Sequence, residues 1–120
     1  MPIRQSYWMF WLIGLTTCGL SVESTHHGLA SYYADSFHGK TTASGVPYDS
    51  AALTAAHREL PFGTRVRVTN TINNQQTLVT VNDRGPFNKK RIIDLSKRAA
   101  KELDMIHDGV VSVKLEVLVN

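Results

Sequence analysis

Cysteine is all but missing from this chain: Cys18 is the only one in 120 residues. That excludes a disulfide within the chain and a thiolate metal cluster. The sequence also lacks an apolar run of the ~20 residues that a membrane-spanning helix needs, since the stretch Tyr7 to Leu15 is far shorter. Internal repeats and low-complexity segments are absent. The histidines (His26, His27, His38, His57 and His107) show no paired spacing with carboxylates or thiols, so neither a metal site nor a cofactor is expected. The excess of one charge is small, +3 from 13 basic and 10 acidic residues. A length of 120 residues leaves room for a single domain.

What is present begins with residues 1–17, where one basic residue, Arg4, precedes the apolar stretch in the manner of a secretory signal. The run Leu15-Thr16-Thr17-Cys18-Gly19 then resembles a bacterial lipobox, with leucine three residues before the cysteine and Thr17 standing where glycine or alanine is usual. The resemblance implies a lipid on Cys18 as the new N-terminus and a protein tethered to a membrane rather than spanning it. Gly19, in place of an aspartate, points to the periplasmic side of the outer membrane. Signal cleavage without lipidation, giving a soluble exported protein, is the alternative. Residues 18–27 are polar and without periodicity and are expected to form a tether, leaving 28–120 as the folded domain. Basic residues concentrate between Arg58 and Lys101. In an exported protein, such a bias suits an acidic wall glycan better than nucleic acid, or else marks a solvated face.

From Gly28 onward the pattern is that of strands. Leu29–Tyr33, Leu53–Ala56, Thr64–Asn70, Gln75–Val81 and Val111–Val119 carry β-branched or alternating residues, with a turn at Thr71–Asn74 making a hairpin of two of them. One helix interrupts the series, capped by Ser96, with Ala99, Ala100 and Leu103 on a shared face. Many short strands and little surplus apolar surface fit a small closed barrel better than a sandwich.

The segment Asn82-Asp83-Arg84-Gly85-Pro86-Phe87 carries the chemistry, because Gly85-Pro86 stops the preceding strand and leaves Asp83 at its end. Asp83 capping its own turn and pairing with Arg84 is the plain structural alternative. Together with Gly28-Leu29-Ala30-Ser31-Tyr32-Tyr33, Phe37-His38-Gly39-Lys40-Thr41-Thr42-Ala43-Ser44-Gly45, Leu53-Thr54-Ala55-Ala56-His57 and Leu60-Pro61-Phe62-Gly63-Thr64-Arg65-Val66-Arg67-Val68-Thr69-Asn70, this segment closely resembles the rare lipoprotein A (RlpA-like) family over nearly all of Gly28 to Val119.

The resemblance implies a six-stranded double-psi β-barrel, export, and cleavage of peptidoglycan glycan strands, with peptide-poor strands favoured. It puts a catalytic aspartate at Asp83 and a histidine at His57. The family's glutamate falls on Val46, which can neither give nor take a proton, and Asp49 and Glu59 are nearby carboxylates outside the motif. Breaking a glycosidic bond requires a proton for the leaving oxygen. A lytic transglycosylase has the sugar's own 6-hydroxyl attack, giving a 1,6-anhydro end, so one carboxyl can act first as acid and then as base. Asp83 is assigned that role, and His57 either supports it or is a polar rim residue. Tyr33, Phe37 and Arg84 are expected to bind substrate. The other aromatics, Phe87 included, default to the core, and Asp94 reads first as structural and second as a helper to the groove.

The expected partners are peptidoglycan strands and, through Cys18, a membrane; the expected state is a monomer. A non-catalytic glycan-binding or expansin-like wall module, or a scaffold docking a protein, would share the fold without the chemistry.

Overall fold

A computed structural model describes the chain from Leu20 to Asn120; residues 1–17, expected to be a secretory signal, and Cys18, the expected lipidation site, lie outside the described residues. Six strands form: β1 (Ser21–Tyr32), β2 (Thr54–Ala56), β3 (Arg65–Asn70), β4 (Gln76–Asp83), β5 (Arg91–Leu95) and β6 (Val111–Val119). A 3-10 turn at Asp35–Phe37 follows β1, and one helix, α1 (Lys97–Glu102), separates β5 from β6. The strands close into a barrel in the order β1-β5-β2-β4-β3-β6. The chain is thus mainly β with one short helix, as the alternating pattern and the family resemblance predict. Two of the pairings, β1 with β5 and β2 with β4, are parallel. Parallel neighbours cannot be joined by a tight hairpin, so long connections cross between them and interlock the two halves of the barrel.

Strand alternation fills the interior. Val66 and Val68 from β3, Val79 and Val81 from β4, Ile93 and Leu95 from β5, and Val113 and Leu115 from β6 are buried. Each such side chain contributes ~1.5–3 kcal/mol when removed from water. The helix closes over this core with Ala99, Ala100 and Leu103. Its first turn is held by Ser96, whose Oγ accepts from the Ala99 amide at 3.2 Å and donates to the Ala52 carbonyl at 2.6 Å. Its far end is held from the β3–β4 hairpin, where buried Asn70 donates to the Leu103 carbonyl at 3.0 Å. A buried amide that bridges two elements in this way satisfies donors and acceptors that would otherwise be stranded.

Two features depart from the sequence pattern. Ser21 to His27, expected as a tether, runs as the first half of β1 and pairs with β6 from Ser21 opposite Val119 to His27 opposite Lys114. Its side chains are almost all exposed, so no alternation was required of them; backbone pairing alone makes the strand. The other is β5, which the residue pattern did not mark as a strand. Here Ile93 and Leu95 face the core while Ile92 lies over Gly28 on β1, and a Cβ at Gly28 would sit 2.7 Å from Ile92 Cγ2. The glycine is what allows the parallel β1–β5 pair to close at this point.

Candidate active site

Ala56 organises the site. It ends β2, pairing with Asp94 on β5 and with Asp83 on β4, while Asp94 in turn pairs with Ser31 on β1. Residues directly opposite one another in a sheet share a face. Ser31, Asp94, Ala56 and Asp83 therefore form one row across four strands, with the small methyl group of Ala56 between the two carboxylates. All four line a cleft of about 540 Å³, together with Tyr33, Phe37, Arg84, Phe87 and Arg91.

Asp83 is held by three donors. The Tyr33 hydroxyl donates to Oδ2, and the backbone amides of Ala43 and Arg84 donate to Oδ1 at 2.8 and 2.9 Å. The Ala43 amide comes from the loop that the Thr41–Pro47 bridge closes, a loop also docked through the Ser44 amide on the Asn82 carbonyl at 3.2 Å. Tyr33 is fixed by stacking on buried Tyr48, centroids 4.4 Å apart, and by an edge contact with Phe37 at 5.9 Å. Burial first, then the hydrogen bond to Asp83 and its charge, push the Tyr33 phenol far above the usual tyrosine range, so Tyr33 remains a donor at every physiological pH.

Arg84 settles a question that the sequence left open. Its guanidinium turns away from the Asp83 carboxylate: Nη1 donates to the carbonyls of Leu60 at 2.9 Å and His57 at 3.2 Å, and the group lies 4.1 Å from the Phe62 ring centroid. Gly85 follows directly at φ 131°, a conformation that a side chain disfavours. Arg84 is thus a clamp between the β4 end and the 57–63 loop, although it also borders the cleft.

His57 meets Asp83 through the backbone, its amide donating to the Asp83 carbonyl at 3.2 Å. The imidazole lines a separate hollow of about 300 Å³ with His26, Arg58 and Glu59. Nδ1 accepts from the amides of Glu59 and Leu60 at 3.1 and 3.2 Å, and burial holds the ring below the usual histidine pKa. This is a neutral imidazole that caps a turn. Val46 is exposed on the Thr41–Pro47 loop and does not line the cleft. Asp49 accepts from the Ala51 amide in its own turn, and Glu59 belongs to the His57 hollow. Neither faces Asp83.

The second carboxylate beside Asp83 is Asp94, whose Oδ1 accepts from Ser31 Oγ at 2.6 Å and pairs with Arg91 Nε at 3.2 Å. The clue in the sequence is its place directly after the buried Ile93, which turns its side chain to the opposite face of β5. Phe87, assigned to the core from sequence, is instead 87% exposed.

A family profile described as lytic transglycolase matches residues 25–115. The chain belongs to that family. Relatives within the family's range include an endolytic peptidoglycan transglycosylase RlpA of Campylobacter jejuni, 54% identical over 82% of this chain and 36% of its own length. The RlpA of Haemophilus influenzae is 44% identical over 98% of this chain and 42% of its own. The chain therefore spans well under half the length of these curated relatives. Among solved structures, a Streptomyces papain inhibitor matches with a TM-score of 0.65 at 26% identity, covering 82% of this chain and 97% of that one. A Clavibacter michiganensis expansin in complex with cellohexaose matches at 0.62 and 21%, covering 78% and 50%. The expansin likeness is one of fold, and the family's double-psi barrel is the architecture all of them share with this chain.

Proposed function

We propose that this domain is an endolytic lytic transglycosylase that cleaves the β-1,4 linkages of peptidoglycan glycan strands, with Asp83 as general acid and then general base. The observation that carries this reading is a carboxyl group lining an open cleft and free of an ion pair with Arg84, with a second carboxyl group, Asp94, in the same row of the sheet, which favours keeping a proton on one of the two. Asp83 delivers its proton to the bridging oxygen as the bond to the anomeric carbon breaks. It then takes the proton of the sugar's 6-hydroxyl while that oxygen bonds to the same carbon, which closes the 1,6-anhydro ring without water. Positive charge builds at the anomeric carbon in between, and Asp94 supplies a negative charge along the same row of the sheet. The reading does not require a carboxylate at Val46.

The names of the curated relatives support the substrate class. Strands poor in stem peptides are the preferred substrate in this proposal. The protein acts as an exported monomer, anchored through a lipid on Cys18 at the periplasmic face of the outer membrane. Tyr33 and Phe37 bind sugar from one side of the cleft, while Arg84 shapes the site through the 57–63 loop. His57 is assigned a supporting role through that loop and its backbone contact with Asp83.

Incubation of the soluble domain with peptide-free sacculi tests the reading. Mass spectrometry is expected to find 1,6-anhydro ends with the native domain and none with Asp83→Asn. Retained binding to sacculi without such ends would favour the glycan-binding module instead, a reading for which the exposed Val46 in place of a carboxylate speaks.

A further inference from the structure

Phe87 is the most exposed of the large apolar side chains among the described residues. A single exposed phenylalanine is ordinary on a protein surface, and on a loose loop it would mean nothing. The loop that carries this one is tied down at both ends by one guanidinium. Arg58 Nη1 donates to the Pro86 carbonyl at 2.9 Å and to the Arg91 carbonyl at 2.8 Å. Within the loop, Asn88 Oδ1 accepts from the Lys90 amide at 2.9 Å, and its carbonyl accepts from the Arg91 amide at 3.1 Å. The ring is therefore held out into solvent by a closed hydrogen-bonded frame.

Its position gives that exposure a use. Phe87 lines the same cleft as Asp83, together with Asn88, Arg91 and Asp94, and the cleft also includes Tyr33 and the exposed ring of Phe37. Tyr33 and Phe37 meet edge to face beyond β1, whereas Phe87 belongs to the loop between β4 and β5. The cleft thus has an aromatic surface from each of two separate chain segments, with a carboxylate row in its floor. The C–H face of a pyranose packs on such a ring, and a rigid ring loses little conformational freedom in doing so.

We propose that Phe87 is a sugar-binding residue that forms a second stacking subsite, and that Arg58 is the positioning residue that presents it. The glycan strand lies across the cleft with one pyranose on Phe37 and another on Phe87, the linkage to be broken passing over Asp83. This rests on the glycan-cleaving reading above and extends it to the residues that grip the strand.

Steady-state release of 1,6-anhydro ends from solubilised peptide-free glycan, with Phe87→Ala, Phe87→Trp, Arg58→Ala and the Phe87/Arg58 double variant, tests the proposal. The expected result is a KM for Phe87→Ala raised about tenfold with kcat within about threefold of native, the size a lost stacking contact implies. Phe87→Trp is expected to restore KM. Arg58→Ala is expected to raise KM in the same manner, and the double variant to add little to it, because both changes remove one subsite. A native domain that cleaves while Phe87→Ala keeps its KM would overturn the subsite and leave the proposed function standing. If the native domain neither binds nor cleaves glycan, both readings fall together. Thermal melting of each variant separates a lost contact from a lost fold.

Discussion

The Tyr33 hydroxyl donates to Asp83 Oδ2, joining a residue just beyond the end of β1 to the last residue of β4. The bond spans the carboxylate row from its β1 side, and the stacking of Tyr33 on Tyr48 fixes its direction. It also makes the phenol a reporter of folding at alkaline pH. The folded-state pKa of Tyr33 is raised by burial and by Asp83, so the stabilisation it represents is complete below the unfolded tyrosine value of about 10. Above that pH the unfolded chain releases a proton that the folded one keeps, and stability falls. Tyr33→Phe is expected to flatten the decline in urea-unfolding stability above pH 10. An unchanged slope would show that the phenol titrates normally.

His57 gives the opposite dependence at the acid side. Its pKa is lowered by burial in the fold, so its contribution is complete above the unfolded histidine value of about 6.5 and is lost as pH falls below it. Protonation also removes the Nδ1 acceptor used by the Glu59 and Leu60 amides. Urea midpoints of native protein are expected to drop between pH 7 and pH 5, with a smaller drop in His57→Ala. Equal drops would assign the acid sensitivity elsewhere.

Asp94→Asn tests the second carboxylate. Asparagine keeps an acceptor for Ser31 but gives up the charge and the ion pair with Arg91. A loss of about 10²-fold in kcat, the lower range for a group acting directly on the reacting centre, is the expected result. The melting temperature should change little, because asparagine keeps the Ser31 contact and the pair lost with Arg91 is still partly open to solvent, where such pairs contribute about 1 kcal/mol. Full retention of kcat would reduce Asp94 to a structural residue.

Gly28 and Ile92 make a packing test independent of chemistry. Gly28→Val pushes a side chain into Ile92 Cγ2 and should cost about 1–3 kcal/mol of unfolding free energy, as overpacked sites do. Adding Ile92→Ala should recover part of that loss, since it clears the space. If the double variant is no more stable than Gly28→Val alone, the clash is not with Ile92.

Five of the six strands and the helix were legible in the residues, most of them through a periodic signature and β2 as a short buried run. Val111 to Val119 alternates over its length, and Ser96 sits where a cap belongs. The first half of β1 was not, because both of its faces are largely open and its partner is the far end of the chain. In β5 the short run Arg-Ile-Ile-Asp-Leu carries too little alternation to read as a strand, since Ile92 is apolar beside the buried Ile93 and packs over Gly28.

By itself the sequence determined the strand periodicity, the end of β4 ahead of Gly85-Pro86, and the aspartate left there. These are properties of residues close together in the chain, and local sterics and alternation suffice to fix them. Tertiary structure alone decided that Asp94 shares a row with Asp83, that Arg84 turns to the carbonyls of the 57–63 loop, that the His57 imidazole occupies its own hollow, and that Phe87 stands in solvent. Each depends on which strands become neighbours when the barrel closes. Neighbours are set by pairings between residues tens of positions apart, whose cost and reward no short stretch of chain contains.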